Sequence, residues 1–228
     1  MTQLINIIDR FIDFFYDFYC GIETRKNIEL NQLNISSPDK INGRPYQGTR
    51  LRVFKKIMGK FSPFLPLENS IFLDVGCGKG RVLFMAKSWG FEQIWGIDFS
   101  PQLICDCKKN LGQFAKKQKN LNKRNRQKIK PILASASQFS SWNQVDIVYM
   151  YNPFDGNVLK KVMQSWEQQL ATNKELYVIY VNPLRSYLFD LHPGAELLSS
   201  VRSWNSNNEA LLYRFRSSSK FMIESSLE

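Results

Sequence analysis

Ile71-Phe72-Leu73-Asp74-Val75-Gly76-Cys77-Gly78-Lys79-Gly80-Arg81 is the stretch on which the fold turns. Ile71, Phe72, Leu73 and Val75 make a nearly unbroken apolar run, as a parallel strand needs when both of its faces are covered. Gly76, Gly78 and Gly80 follow at alternate positions. Glycine tolerates positive φ and leaves room for a ligand against the backbone. Val82, Leu83, Ala86 and Trp89 then share one helical face. The stretch therefore reads as strand, Gly-rich turn, helix. A second short apolar run, Gln93 to Ile97, ends in Asp98-Phe99-Ser100-Pro101. Ser100 as N-cap and Pro101 at the first helical position open the next helix. A carboxylate about twenty residues past the glycines, at a strand's C-terminal end, accepts both hydroxyls of a ribose.

The spacing excludes two common phosphate loops. A dinucleotide turn needs G-x-G-x-x-G, and Arg81 stands where its third glycine belongs. A P-loop needs G-x-x-x-x-G-K-[ST], which is absent. The plain alternative for a lone Gly-rich turn is a tight connector. Strand, turn, helix, strand and acid in that order weigh against it. The pattern D-x-G-x-G-x-G over Asp74 to Gly80 resembles motif I of the class I S-adenosylmethionine (SAM) methyltransferases. The resemblance implies a loop, Gly76, Cys77, Gly78 and Gly80, that approaches the methionine part of the cofactor. It makes Asp74 the group that orients the cofactor's amino group, Asp98 the ribose ligand and Phe99 a wall for the adenine. Many members of that family carry an acid after the third strand. This chain has Ala134-Ser135-Ala136-Ser137-Gln138-Phe139 there. Ser135, Gln138 or a backbone carbonyl remains as acceptor for the adenine amino group.

Further strands are expected at Pro131 to Ala134, Val145 to Tyr151 and Leu176 to Val181. Val201 to Trp204 and Ala210 to Phe215, joined by Asn205-Ser206-Asn207-Asn208, read as an antiparallel hairpin. Helices are expected from Leu51 to about Phe61, from Pro101 to about Leu121, and along Val158, Leu159, Val162, Met163, Trp166 and Leu170. The count and order match the α/β, Rossmann-like class I methyltransferase sheet: mostly parallel, seven strands with a C-terminal antiparallel hairpin, flanked by helices. The expected organisation is an N-terminal helical extension and linker at 1–44 and a SAM-binding domain at 45–228.

The fourth strand runs into Asn152-Pro153-Phe154-Asp155. Its end should lie near the switch point of the sheet, where ligands of open α/β folds bind. The segment is similar to the [N/D]-P-P-[F/Y] motif of amino-group methyltransferases, shortened by one Pro. The resemblance makes Asn152 a contact of both the methyl donor and the target nitrogen. Tyr149, Tyr151 and Asp155 are nearby groups for shaping the site or removing a proton. The structural alternative is a strand-ending turn, a device that Asn182-Pro183 repeats. Gly43-Arg44-Pro45-Tyr46-Gln47-Gly48-Thr49-Arg50 resembles the loop that closes over SAM in non-SET lysine methyltransferases. That likeness makes Tyr46 and Thr49 lid residues; an ordinary helix-entry loop is the alternative. A protein amine of the lysine type is the favoured acceptor, ahead of a small molecule and RNA. The other class of reading is a non-catalytic module that holds RNA or an acidic partner.

That last reading rests on charge. The chain of 228 residues is 43% hydrophobic and carries a formal charge of +11. Every charged residue from Lys108 to Lys130 is basic: Lys108, Lys109, Lys116, Lys117, Lys119, Lys123, Arg124, Arg126, Lys128 and Lys130. A solvated helix face is the plain reading; a patch for RNA, an acidic protein or an anionic membrane is the functional one. Aromatic residues do not interleave the charges as single-strand binders require.

Residues Met1 to about Tyr19 read as one amphipathic helix. Asn6, Asp9 or Arg10, Asp13 and Asp17 form a polar stripe, and Ile5, Ile8, Phe11, Ile12, Phe15, Phe18 and Tyr19 a wide apolar face. Packing on the domain is the plain expectation for that face. A dimer interface, a lid and membrane contact are the alternatives, the last disfavoured by the acidic stripe. Gly21 to Arg44, with Ser36-Ser37-Pro38-Asp39, reads as a linker. The N-terminal stretch lacks the pattern of a signal peptide, and no run is long enough to span a bilayer. The expected setting is cytoplasmic, with Cys20, Cys77, Cys105 and Cys107 reduced. No C-x-x-C pair occurs and His192 is the only histidine, so no metal is expected. His192 lies in a His-Pro-Gly turn and reads as structural. The oligomeric state stays open.

Overall fold

The computed structural model describes residues 2–35, 43–118, 128–170, 174–202 and 209–217. Its strands are β1 (Ile71–Val75), β2 (Gln93–Asp98), β3 (Lys128–Leu133), β4 (Ile147–Tyr151), β5 (Leu176–Val181), β6 (Ala195–Arg202) and β7 (Glu209–Phe215). They form one sheet in the order β3-β2-β1-β4-β5-β7-β6. The first five in that order pair in parallel, and β7 pairs antiparallel with both β5 and β6. The order reverses between β1 and β4, so the ends of these two strands open onto the switch point.

Alternation along the strands supplies two cores. Leu73, Val75, Val148, Met150, Val178 and Tyr180 face one layer, built by α5 (Gly156–Leu170), the short α6 (Tyr187–Asp190) and Trp142. Phe72, Ile94, Ile147, Tyr149, Ile179 and Leu212 face the other. That layer comprises α2 (Leu51–Phe61), α3 (Arg81–Ala86) and part of α4 (Pro101–Gln118). Burial on both faces is why the parallel strands read as apolar runs rather than alternating ones.

Three boundaries differ from the sequence reading. β3 starts at Lys128, because its outer position lets charged residues join the ladder. β6 starts at Ala195, six residues before the expected Val201, with a register shift between Leu197 and Ser199. Its mixed AELLSSVR sequence reflects an edge strand, paired on one side only. The turn Asn205 to Asn208 lies outside the described residues. The Gly21 to Arg44 linker is docked rather than free: Ile22, Thr24, Leu33 and Ile35 are buried, and Ile28 pairs with Tyr46 through two backbone hydrogen bonds. The turn Ser36 to Asp39 lies outside the described residues.

The amphipathic helix α1 (Thr2–Cys20) packs on the body with its acidic stripe inward. Asp9, Asp13 and Asp17 are buried. Arg81 donates to Asp13 at 2.6 Å and to Asp17, and Arg52 reaches Asp9 at 3.1 Å. A buried carboxylate costs several kcal/mol unless paired, so guanidinium partners decide which way the helix faces. The apolar residues Leu4, Ile7, Ile8, Phe11, Phe14, Phe15, Phe18 and Tyr19 are left exposed. Among the described residues, no helix is long and apolar enough to cross a membrane.

Candidate active site

The end of β1 makes the floor of the site. Gly76, Gly78 and Gly80 all have positive φ, at 78°, 52° and 85°. The turn is fixed to β2, because the N–H groups of Gly76 and Cys77 both donate to the Ile97 carbonyl at 2.9 Å. Asp98 then ties the turn to the next helix. Its two carboxylate oxygens accept from the Gly78 N–H at 2.9 Å and the Ser100 N–H at 2.8 Å. Ser100 caps α4 through its hydroxyl, which accepts from the Leu103 N–H at 3.3 Å.

A cavity of about 540 Å³ opens over this floor. It gathers Tyr46, Thr49, Asp74, Gly76, Cys77, Asp98, Phe99, Ser135, Tyr149, Tyr151 and Asn152 from segments far apart in the chain. Gly78 and Gly80 lie off its wall. A Cβ on Gly78 would sit 2.1 Å from Tyr46 Cδ2 and 2.2 Å from its Cε2, so the edge of that ring abuts the turn. A Cβ on Gly80 would sit 2.5 Å from Cys107 Sγ, so Gly80 serves the contact with α4. Gln138 and Asp155 do not line the cavity either. Asp155 caps α5, accepting from the N–H groups of Asn157 and Val158 at 3.0 Å each. His192 bonds Glu167 at 2.9 Å and accepts from the Gly194 N–H at 3.1 Å, well away from the cavity.

Two carboxylates stand out electrostatically. Asp74 and Asp98 are both buried, and among the described residues neither has a basic ion-pair partner. Burial raises the Asp98 carboxyl to about 6, against the pull of its two backbone hydrogen bonds. Burial first, and then the neighbouring Asp98, pushes Asp74 well above the usual carboxylate range. Burial raises the Tyr46 and Tyr149 phenols, and a hydrogen bond with Cys107 followed by burial raises the Cys77 thiol. These hydroxyl and thiol groups are neutral donors, not bases. Tyr149 Oη is buried, and among the described residues the Thr49 side chain is the hydrogen-bonding group beside it, without a bond of full geometry.

Asn152 and Asn182 end β4 and β5 in the left-handed region, at φ 39° and 51°. Asn tolerates that region better than most residues, although a following Pro disfavours helical backbone. The two Asn-Pro turns are therefore the same strand-ending device, and both line the cavity. Asn152 is further fixed, its Oδ1 accepting from the Tyr180 hydroxyl at 3.3 Å. Pro153 comes within 3.2 Å of the position a Gly76 Cβ would take.

The Tyr46 loop is braced from behind. Tyr46 Oη donates to the Thr24 carbonyl at 2.7 Å, and the Thr24 hydroxyl donates to Asp17 at 2.9 Å. Arg81 closes the chain, donating to Thr24 Oγ1 at 2.7 Å and to the Thr49 carbonyl at 2.7 Å. Arg81 starts α3, where a cation opposes the helix dipole. Its acids on α1 offset that cost. The sequence reading missed Arg81, Thr24 and Asn182. The signal for Arg81 was its departure from glycine in the turn pattern; nothing local marked Thr24.

The cavity suits a ligand that carries positive charge, a ribose and an adenine. Asp98 keeps further lone pairs on both oxygens for hydroxyl donors, and Phe99 and Ser135 line the same cavity. Asp74, on β1 just before the turn, is buried and lines the cavity too. The volume falls in the range of small-ligand sites.

Comparisons with known proteins agree. A family model described as a methyltransferase domain matches residues 67–224. No curated protein matches the sequence. Among solved structures, PH1948 from Pyrococcus horikoshii, a proposed RNA methyltransferase, is 17% identical with a TM-score of 0.53. The match covers 82% of this chain and 95% of that one. The proposed methyltransferase yhhF from Escherichia coli is 16% identical with a TM-score of 0.53, over 84% of this chain and 99% of that one. An RNA methyltransferase from Salinibacter ruber, solved with S-adenosyl-L-homocysteine, is 13% identical with a TM-score of 0.51, over 74% of this chain and 93% of that one. These likenesses are of fold. Together with the family match, the Gly-rich turn and Asp98, they establish that the chain belongs to the methyltransferase domain family of class I, SAM-dependent enzymes.

Proposed function

We propose that this methyltransferase acts on an amine nitrogen presented at Asn152, with a lysine-type side chain of a protein as the favoured acceptor. The single observation behind this reading is that Asn152 and Pro153, at the end of β4, line the same cavity as Asp74, Asp98 and the Gly-rich turn, with Tyr149 in its wall too. SAM supplies an electrophilic methyl group on a sulfonium. The protein's task is then to bind, orient and exclude water, since an in-line displacement gains much of its rate from positioning.

Each residue has a role under this reading. Asp98 holds the ribose and Asp74 the cofactor's amino group, while Gly76 and Cys77 give backbone contact. Phe99 and Ser135 flank the adenine. Asn152 Oδ1 accepts from the amine N–H and so aims its lone pair, and Tyr180 keeps that side chain in place. Tyr149 Oη is a neutral hydroxyl with capacity for one more hydrogen bond. Tyr46 and Thr49 cover the cofactor's side of the cavity. Tyr151 borders the acceptor.

RNA is less favoured. Lys108 and Lys109 lie midway along α4 and Lys116 and Lys117 at its C-terminal end, whereas its N-terminal end meets the cavity through Leu103. With a rise of about 1.5 Å per residue, Lys117 stands about 24 Å along the helix axis from Pro101. Lys119, Lys123, Arg124 and Arg126 lie outside the described residues.

The test is methyl transfer from radiolabelled SAM into separated protein, small-molecule and RNA pools. Label is expected in protein, on amine nitrogen. Asn152→Ala should lower turnover by about 100-fold, on the scale of losing one positioning hydrogen bond in a transition state, with S-adenosylhomocysteine affinity kept within about threefold. Label confined to RNA or to small molecules, or full turnover by Asn152→Ala, would sink this reading.

A further inference from the structure

The inward turn of the α1 acids leaves two features without a role: the apolar face of α1 and the basic end of α4. They form one surface. With about 100° per residue, Phe11, Phe14, Phe15, Phe18 and Tyr19, together with Leu4, Ile7 and Ile8, fill an arc of about 140°. Phe15 is 62% exposed and Phe18 is 70% exposed. Cations stand directly at the border of this arc. Lys117 Nζ lies 5.2 Å over the Phe18 ring and donates to the Phe18 carbonyl at 3.3 Å. The Arg25 guanidinium lies 4.9 Å over the Phe14 ring and, half exposed, also pairs with Asp17 at 3.8 Å. Arg10, Lys26 and Lys116 are exposed nearby in sequence, and no acid of α1 lies on the arc.

We propose that this face docks on an anionic lipid surface, with the rings at the headgroup boundary and the cations among the lipid phosphates. Exposed rings beside Lys and Arg are what an interfacial helix needs. The acidic stripe does not oppose it, because Asp9, Asp13 and Asp17 are buried and paired with arginines of the body. Those pairs act as the anchor that holds the helix flat with its rings outward. The formal charge of +11 adds long-range attraction to such a surface. A second copy fits less well. A two-fold contact sets a patch against itself, which would bring Lys117 and Arg25 of each copy toward their like. The proposal is independent of the methyl acceptor.

The test is flotation of the full chain with vesicles of phosphatidylcholine alone, and of phosphatidylcholine mixed with phosphatidylglycerol. Binding to the mixed vesicles is expected, at least about tenfold weaker with the neutral ones and weakened by salt. Phe11→Ser with Phe15→Ser and Phe18→Ser should lower it by at least about tenfold while S-adenosylhomocysteine binding stays unchanged. Lys116→Glu with Lys117→Glu, which leaves the rings in place, should lower it too and flatten its salt dependence. Absence of binding to the mixed vesicles would overturn the proposal. So would undiminished binding by both variants. A lipid-free dimer in ultracentrifugation that the triple Ser variant breaks would overturn it in favour of a second copy.

Discussion

Asp13 and Asp17 on α1 and Asp74 and Asp98 at the sheet ends are four buried carboxylates in two settings. The first two share one guanidinium, Arg81, and Asp17 also accepts from the Thr24 N–H and hydroxyl. The second two have only each other's charge and, for Asp98, two backbone N–H donors. A buried acid with its cation is finished structure. A buried acid without one is a site that awaits a ligand, and burial raises its pKa until the ligand's charge arrives. The same residue type thus belongs to the scaffold in one place and to the proposed cofactor site in the other, and the partner decides which.

The comparison can be broken at its paired end first. Arg81→Met should destabilise the chain by about 3–5 kcal/mol in urea unfolding, because it strands two buried carboxylates. Adding Asp13→Asn and Asp17→Asn should restore part of that loss. A change under about 1 kcal/mol would mean that the network is not buried in solution.

At the unpaired end, Asp98→Ala should lower cofactor affinity about 100-fold or more without the loss of stability expected of Arg81→Met, because at neutral pH relief of a buried charge offsets the loss of its two backbone hydrogen bonds. Two hydrogen bonds to a charged acceptor, at about 1.5 kcal/mol or more each, set that scale. Calorimetry reads the affinity and urea unfolding the stability.

The pH dependence sharpens the contrast, since stability and binding should move oppositely. Burial raises the folded Asp98 carboxyl from 3.8 to about 6. The ligand-free fold therefore carries its full contribution below about pH 4 and loses about 3 kcal/mol as pH rises through about 6. Cofactor binding needs the ionised form, so affinity should fall by up to about tenfold per pH unit below about 6. Asp98→Asn should remove the share of both trends centred near pH 6, leaving that of Asp74.

The smallest effect is expected from Tyr46→Phe. It keeps the ring on Gly78 and loses one hydrogen bond to the Thr24 carbonyl, which should cost about 1 kcal/mol of stability. Cofactor affinity should hold within about threefold, and a larger loss would mean that the hydroxyl itself meets the ligand.

Much of this was legible in the sequence where chemistry is local. The β1 run, the glycines and the Asp98-Phe99-Ser100-Pro101 end of β2 each carry their structural reason within a few residues. The unpaired acids belong to that stretch. The paired ones do not. The period of α1 revealed its two faces but not which one turns inward, because that depends on Arg81, 68 residues from Asp13. Reading the acids as the solvent side followed the usual rule that charge stays wet. A buried guanidinium overrode it. Most of β6 was missed for a related reason: an edge strand with a bulge has no clean alternation, and only its pairing with β7 defines it. Thr24 and the brace behind Tyr46 were equally silent, since a threonine in a polar segment carries no pattern until Asp17 comes beside it.

The most direct test of the central claim is calorimetric titration of SAM into the purified chain at about pH 7.5 and about pH 5, on either side of the Asp98 midpoint. The account predicts one site with micromolar affinity at the higher pH and weaker binding at the lower. Absence of binding by well-folded protein, or equal affinity at both pH values with Asp98→Ala also binding, would contradict it.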